Sequence, residues 1–60
     1  MKAKDIPDFD DLLEQAVSNA SSDWEVDFVT SIKRQYSQYG DNTFISERQE
    51  EVLRRIANWD

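Results

Sequence analysis

The sequence predicts an all-α protein: a small three-helix bundle occupying residues 1–60 as a single domain. Three observations predict it. Apolar residues recur at three- and four-residue spacing in three separate stretches. One glycine and one proline in 60 residues leave too few tight turns for an all-β chain. Two stretches open on a serine followed three residues later by Glu or Gln, the capping-box signature of a helix start. A chain of this length is near the lower limit for unaided folding, so the helices can bury their apolar stripes only against one another.

The first helix is expected over residues 7–19. Ile6, Phe9, Leu13, Ala16, Val17 and Ala20 share one face, with Leu12 on its flank. Pro7 suits a first helical turn, and Asp8, Asp10 and Asp11 favour the positive end of the helix dipole. Asn19 to Ser22 then break the pattern. The second helix, over residues 23–39, follows the box Ser22-Asp23-Trp24-Glu25. Its stripe is Phe28, Val29, Ile32, Tyr36 and Tyr39, with Trp24 at the edge, and Gly40 suits a left-handed residue after the last turn. Asp41-Asn42-Thr43 read as turn chemistry. The third helix, over residues 47–59, follows the box Ser46-Glu47-Arg48-Gln49 and turns Val52, Leu53, Ile56 and Trp59 inward together with Ile45.

The order Trp24-x3-Phe28-Val29-x-Ser31-Ile32-x2-Gln35-Tyr36-x2-Tyr39-Gly40, then Ile45-Ser46-x2-Gln49-x3-Leu53-x2-Ile56, resembles a helix–turn–helix hairpin of small phage and mobile-element proteins. The same hairpin occurs as a short segment of larger phage DNA-metabolism proteins. The resemblance covers residues 24–59 and implies a phage or prophage origin. It carries over no catalytic residue, and the acidic first helix lies outside it.

Composition excludes much chemistry. The chain has no cysteine and no histidine, so it lacks a disulfide framework, a thiolate metal site, and the commonest general base and metal ligand. No glycine-rich phosphate loop is present. An enzyme is therefore not expected, nor is a cofactor. No apolar run approaches a membrane span and no signal-peptide core is seen, which makes a cytoplasmic protein the expectation.

Charge is the feature that points to function. The 13 acids and 7 bases give a net charge of −6. Residues 1–30 hold Asp5, Asp8, Asp10, Asp11, Glu14, Asp23, Glu25 and Asp27 against Lys2 and Lys4. Residues 31–60 balance Asp41, Glu47, Glu50, Glu51 and Asp60 against Lys33, Arg34, Arg48, Arg54 and Arg55. The whole excess thus lies in the first half. The plain reading of Asp8, Asp10, Asp11 and Glu14 is a solvated helix start favoured by the dipole. A calcium loop would need alternating acids around a glycine, and no metal site is expected. The functional reading is a contact surface for a protein with a basic surface, made of Asp8, Asp10, Asp11, Glu14, Asp23, Trp24 and Asp27. Its sharper form is a DNA mimic, in which carboxylates stand in for phosphates at a nucleic-acid-binding protein.

Two alternatives belong to other classes. Lys33, Arg34, Arg48 and Arg55, with nearby aromatic rings, could bind nucleic acid directly. Against this, each base is matched by an acid, and Glu50–Arg54 and Glu51–Arg55 have the spacing of ordinary helix pairs. Self-association into a homodimer could bury edges such as Trp24 and Trp59 and supplement a thin core. Among the polar residues, Gln49 is explained by its capping box, and Gln35 falls on the core side of the second helix. A Gln35–Gln49 hydrogen bond would fix the hairpin register. Val26 falls far from its stripe and is expected to be exposed.

Overall fold

The computed structural model describes residues 1–59. It holds three α-helices: α1 (Phe9–Asn19), α2 (Asp23–Tyr39) and α3 (Glu47–Ala57). Single 3-10 turns occupy Ala3–Asp5 and Gly40–Asn42. The arrangement is an all-α three-helix bundle, as the sequence predicts. The last acid of the sequence, Asp60, lies outside the described residues.

Two helix ends differ from expectation. Helix α1 starts at Phe9, not at residue 7, because Asp8 takes a left-handed conformation (φ 57°, ψ 36°) and Pro7 lies in the turn before it. Aspartate tolerates that region better than most residues. The first intrahelical bond is Leu12 N–H to the Asp8 carbonyl, 2.9 Å. Helix α3 ends at Ala57, not at residue 59, because Asn58 is also left-handed (φ 62°). The Trp59 amide then turns back to the Arg54 carbonyl at 2.9 Å, which closes the last turn.

The two capping boxes close differently. At α3 both halves form: the Gln49 amide donates to Ser46 Oγ (3.1 Å) and the Ser46 amide donates to Gln49 Oε1 (2.9 Å). At α2 the carboxylate half is strong, since Glu25 Oε1 accepts from the amides of Ser21 (3.0 Å) and Ser22 (3.1 Å). The Ser22 hydroxyl is buried and has no hydrogen-bond partner. Helix α2 stops at Gly40, whose φ of 58° with ψ of −135° suits glycine alone.

The packing corrects the expected roles. Helix α1 is the central member: it packs chiefly on α3 and also on α2, while α2 and α3 make little direct contact. The buried arc of α1 is therefore Phe9, Leu12, Leu13 and Ala16. Leu12, expected on the flank, is fully buried, and Val17, expected inside, is exposed. Leu12, Ile32, Ile45, Leu53 and Val29 form the heart of the core. Tyr39, also expected inside, is 57% exposed because α2 has no neighbour on that flank. Gln35 is exposed as well, so no Gln35–Gln49 bond sets the register. What anchors the loop is Thr43, fully buried, whose hydroxyl donates to the Gly40 carbonyl at 2.8 Å and lies 3.3 Å from that of Gln35.

One element was not anticipated. The N-terminal residues run antiparallel to the α2–α3 loop, with Lys2 opposite Phe44. The Ala3 amide donates to the Thr43 carbonyl (2.8 Å) and the Ile45 amide to the Met1 carbonyl (2.7 Å). This strap buries Ala3 and Ile6 against the bundle.

Candidate partner-binding surface

The acids of α1 face outward because its buried residues, Phe9, Leu12, Leu13 and Ala16, take up the side turned to α2 and α3. Asp10, Asp11 and Glu14 are exposed, and Asp8 precedes them at the helix start. Asp8, Asp10 and Asp11 line a shallow depression that also takes in Asp41 from the α2–α3 loop, with Lys4 as its one base. Asp10 and Glu14 continue along an open groove between α1 and α2, of about 520 Å³, whose other residues are Leu13, Val17, Lys33, Tyr36 and Ser37. Asp11 and Glu14 also border a hollow beside Gln15, Ser18 and Trp59, so the third helix's tail reaches this surface too.

Tyr36 ties the two sides of the groove together. Its hydroxyl donates to Asp10 Oδ1, and its ring packs edge-on against Phe9 at 5.0 Å between centroids. The hydrogen bond to the Asp10 carboxylate, followed by burial and the charges of Asp10 and Asp41, pushes the Tyr36 hydroxyl up to about 12. Asp10 is thereby held in place by a neutral donor that leaves its charge uncompensated.

Ion pairing is confined to α3 among the described residues. Arg54 pairs with Glu50 at 3.0 Å, and Glu51 sits between Arg55 (3.6 Å) and Arg48 (3.3 Å). Among the described residues, no carboxylate of α1 is within 4 Å of a cation. The acids of α1 are thus presented to solvent without a close ion pair, Lys4 and Lys33 being the bases that line the same hollows. No group of three or more acids is placed to hold a metal ion among the described residues.

The structure does not bring all the sequence-selected residues together. Helices α1 and α2 run antiparallel, with Asp10 beside Tyr36 near the end of α2. Asp23 and Asp27 belong to the start of α2, about 20 Å and 14 Å back along its axis from Tyr36 at 1.5 Å per residue. They form a second, smaller acidic site with Trp24, which is 60% exposed. The basic set is also divided. Lys33 lines the α1–α2 groove, Arg34 is on the outer side of α2, and Arg48 and Arg55 are held by Glu51 on α3. Trp59 is half-buried and packed against the core, while Trp24 is free.

Two members of the surface were not selected from sequence. Asp41 was accounted for by turn chemistry, and only the folded loop places it beside Asp8. Tyr36 reads as a core aromatic, and nothing local to it announces Asp10. The comparisons add no relative: no protein-family model, no curated protein and no solved structure matches the chain. No helix among the described residues is long and apolar enough to cross a membrane.

Proposed function

We propose that this chain is a small, acidic, non-enzymatic protein-binding module of phage or prophage type. It grips a basic protein surface through Asp8, Asp10, Asp11, Glu14 and Asp41. The observation that carries the reading is the contrast in pairing. Every arginine of α3 has a carboxylate partner within 4 Å, while among the described residues the acids of α1 have no cation within that distance. Unneutralised surface charge does little for folding, but it raises encounter rates with an oppositely charged partner and rejects like-charged ones.

The density of acids favours a partner that ordinarily binds nucleic acid. Asp10, Asp11 and Glu14 fall within about 6 Å of helix axis, with Asp8 and Asp41 beside them. One strand of duplex DNA presents a phosphate every ~3.4 Å. Such a module would act as an inhibitor or DNA mimic that occupies the partner's phosphate sites. The separated and internally paired arginines speak against direct nucleic-acid binding, because counterion release needs a contiguous basic face.

The test is affinity capture from a bacterial lysate at low and high salt, with the wild type beside D10N/D11N/E14Q. The expected result is a set of nucleic-acid-binding proteins retained at low salt, lost at high salt, and lost in the triple variant. Retention of the same proteins by the triple variant would sink the electrostatic reading. A mobility shift of DNA by the protein alone would favour the alternative.

A further inference from the structure

We infer that α2 pairs antiparallel with α2 of a second copy, through the flank that carries Trp24, Phe28, Ser31, Gln35 and Tyr39. Helix α2 packs on α1 by one side and makes little contact with α3. At about 100° per residue, Lys33 and Ser37 line its α1 side, and the Trp24–Tyr39 row lies on the opposite flank. Trp24 and Tyr39 on that row are 60% and 57% exposed, Ser31 and Gln35 are exposed, and Phe28, part-buried against the core, gives only its outer edge to the row. Phe44, 65% exposed, follows Thr43, whose hydroxyl lies 3.3 Å from the Gln35 carbonyl in α2's last turns.

Two features of this flank select a second copy of the chain as its occupant. The row is nearly its own reverse about a two-fold axis beside Ser31. In an antiparallel pair Trp24 meets the second copy's Tyr39, Phe28 meets its Gln35, and the small Ser31 side chains lie at the crossing, where the backbones come closest. A two-fold contact requires this self-complementarity. The charges bordering the row obey the same symmetry. Asp27 and Arg34 are one heptad apart on the outer border of the row, and like heptad positions face each other across an antiparallel helix pair. Asp27 then faces the second copy's Arg34, and Arg34 its Asp27, giving two opposite-charge pairs. Neither residue has an ion-pair partner among the described residues.

The unneutralised acids of α1 lie on the other side of α2, away from this contact, so the dimer does not press them together. A stable interface commonly buries about 800 Å² per partner, roughly a fifth of this chain's 4155 Å² surface. A single helix flank about 25 Å long falls at the weak end of that class, so the dimer depends on concentration.

Sedimentation equilibrium from micromolar to millimolar concentration tests this, with circular dichroism to confirm that each variant is folded. The wild type is expected to pass from monomer to dimer. W24A should shift the midpoint to higher concentration. R34E and D27R should each weaken the dimer by roughly tenfold, because each puts two like-charge pairs in place of two opposite ones. The double exchange D27R/R34E should restore wild-type association. A protein that stays monomeric throughout overturns the proposal. So does a dimer that R34E leaves unchanged, or one that the double exchange fails to restore.

Discussion

Helices α1 and α3 are each 11 residues long and pack on one another, yet they handle charge and chain ends in opposite ways. Helix α3 is locally complete. Its capping box closes on both sides, its arginines stand at the end where the dipole favours cations, and its charges are paired along its own surface. Helix α1 starts on a left-handed Asp8 with no side-chain cap, and among the described residues its acids have no cation within 4 Å. It holds its shape by burial between the other two helices. The comparison separates two uses of charge: on α3 it stabilises the helix, and on α1 it is left over for something outside the molecule.

The largest expected effect breaks α1's dependence on burial. L12A removes a fully buried side chain from the central helix, and should cost about 2–5 kcal/mol, much of the stability of so small a domain. Val17 on the same helix is exposed, so V17A should change stability by less than about 0.5 kcal/mol. Urea denaturation of both compares them directly. Equal losses would mean that α1 is not packed as described.

Capping sharpens the contrast at a smaller scale. S46A deletes a formed cap bond at α3 and should cost about 1 kcal/mol. S22A removes a buried hydroxyl that has no partner, and should be neutral or slightly stabilising. At α1 the sign reverses: D8G relieves a left-handed non-glycine residue and should stabilise by about 0.5 kcal/mol. Thermal melts at one pH rank the three.

Two pH windows are specific. The Ser22 and Ser21 amides hold Glu25 below the usual carboxylate range. Its stabilisation is therefore present above pH 4.5 and is lost as the pH falls through its lowered value in the folded state. E25Q should flatten the acid limb of a stability–pH curve. The Tyr36 hydroxyl is raised from 10 to about 12, so its contribution is intact below pH 10 and is lost as the pH climbs towards 12. Ultraviolet titration of a Y39F background isolates Tyr36, and D10N should bring its titration back towards 10. An unshifted Tyr36 in the parent protein would show that the Asp10 bond does not form in solution.

Much of the fold was legible because it is written locally. The bounds of α2 follow from Glu25 at one end and Gly40 at the other, and the start of α3 follows from Ser46 and Gln49. Errors arose where a neighbour decides. Leu12 and Val17 lie on opposite borders of one stripe, and which border is buried depends on α3 lying beside α1. Tyr39 has the spacing of a core residue and lacks only a helix to cover it. Asp8 and Asn58 set helix ends by a left-handed turn that aspartate and asparagine permit without announcing. For the candidate surface, sequence identified the acids of α1. It could not join Asp41 to them or separate Asp23, Trp24 and Asp27 from them, because both depend on how α1 and α2 run past each other.

The N-terminal strap has a kinetic consequence. Its bonds join Met1 to Ile45 and Ala3 to Thr43, closing a loop of about forty residues in a chain whose other hydrogen bonds are nearly all within a turn of helix. Such a closure is slow to find and contributes only after the helices have met, so the strap docks onto a bundle that has already formed. It should also be the first part to detach. In native-state hydrogen exchange, the Ala3 and Ile45 amides should open at lower free energy than those in the middle of α1, as a small unit that unlatches while the bundle stays folded.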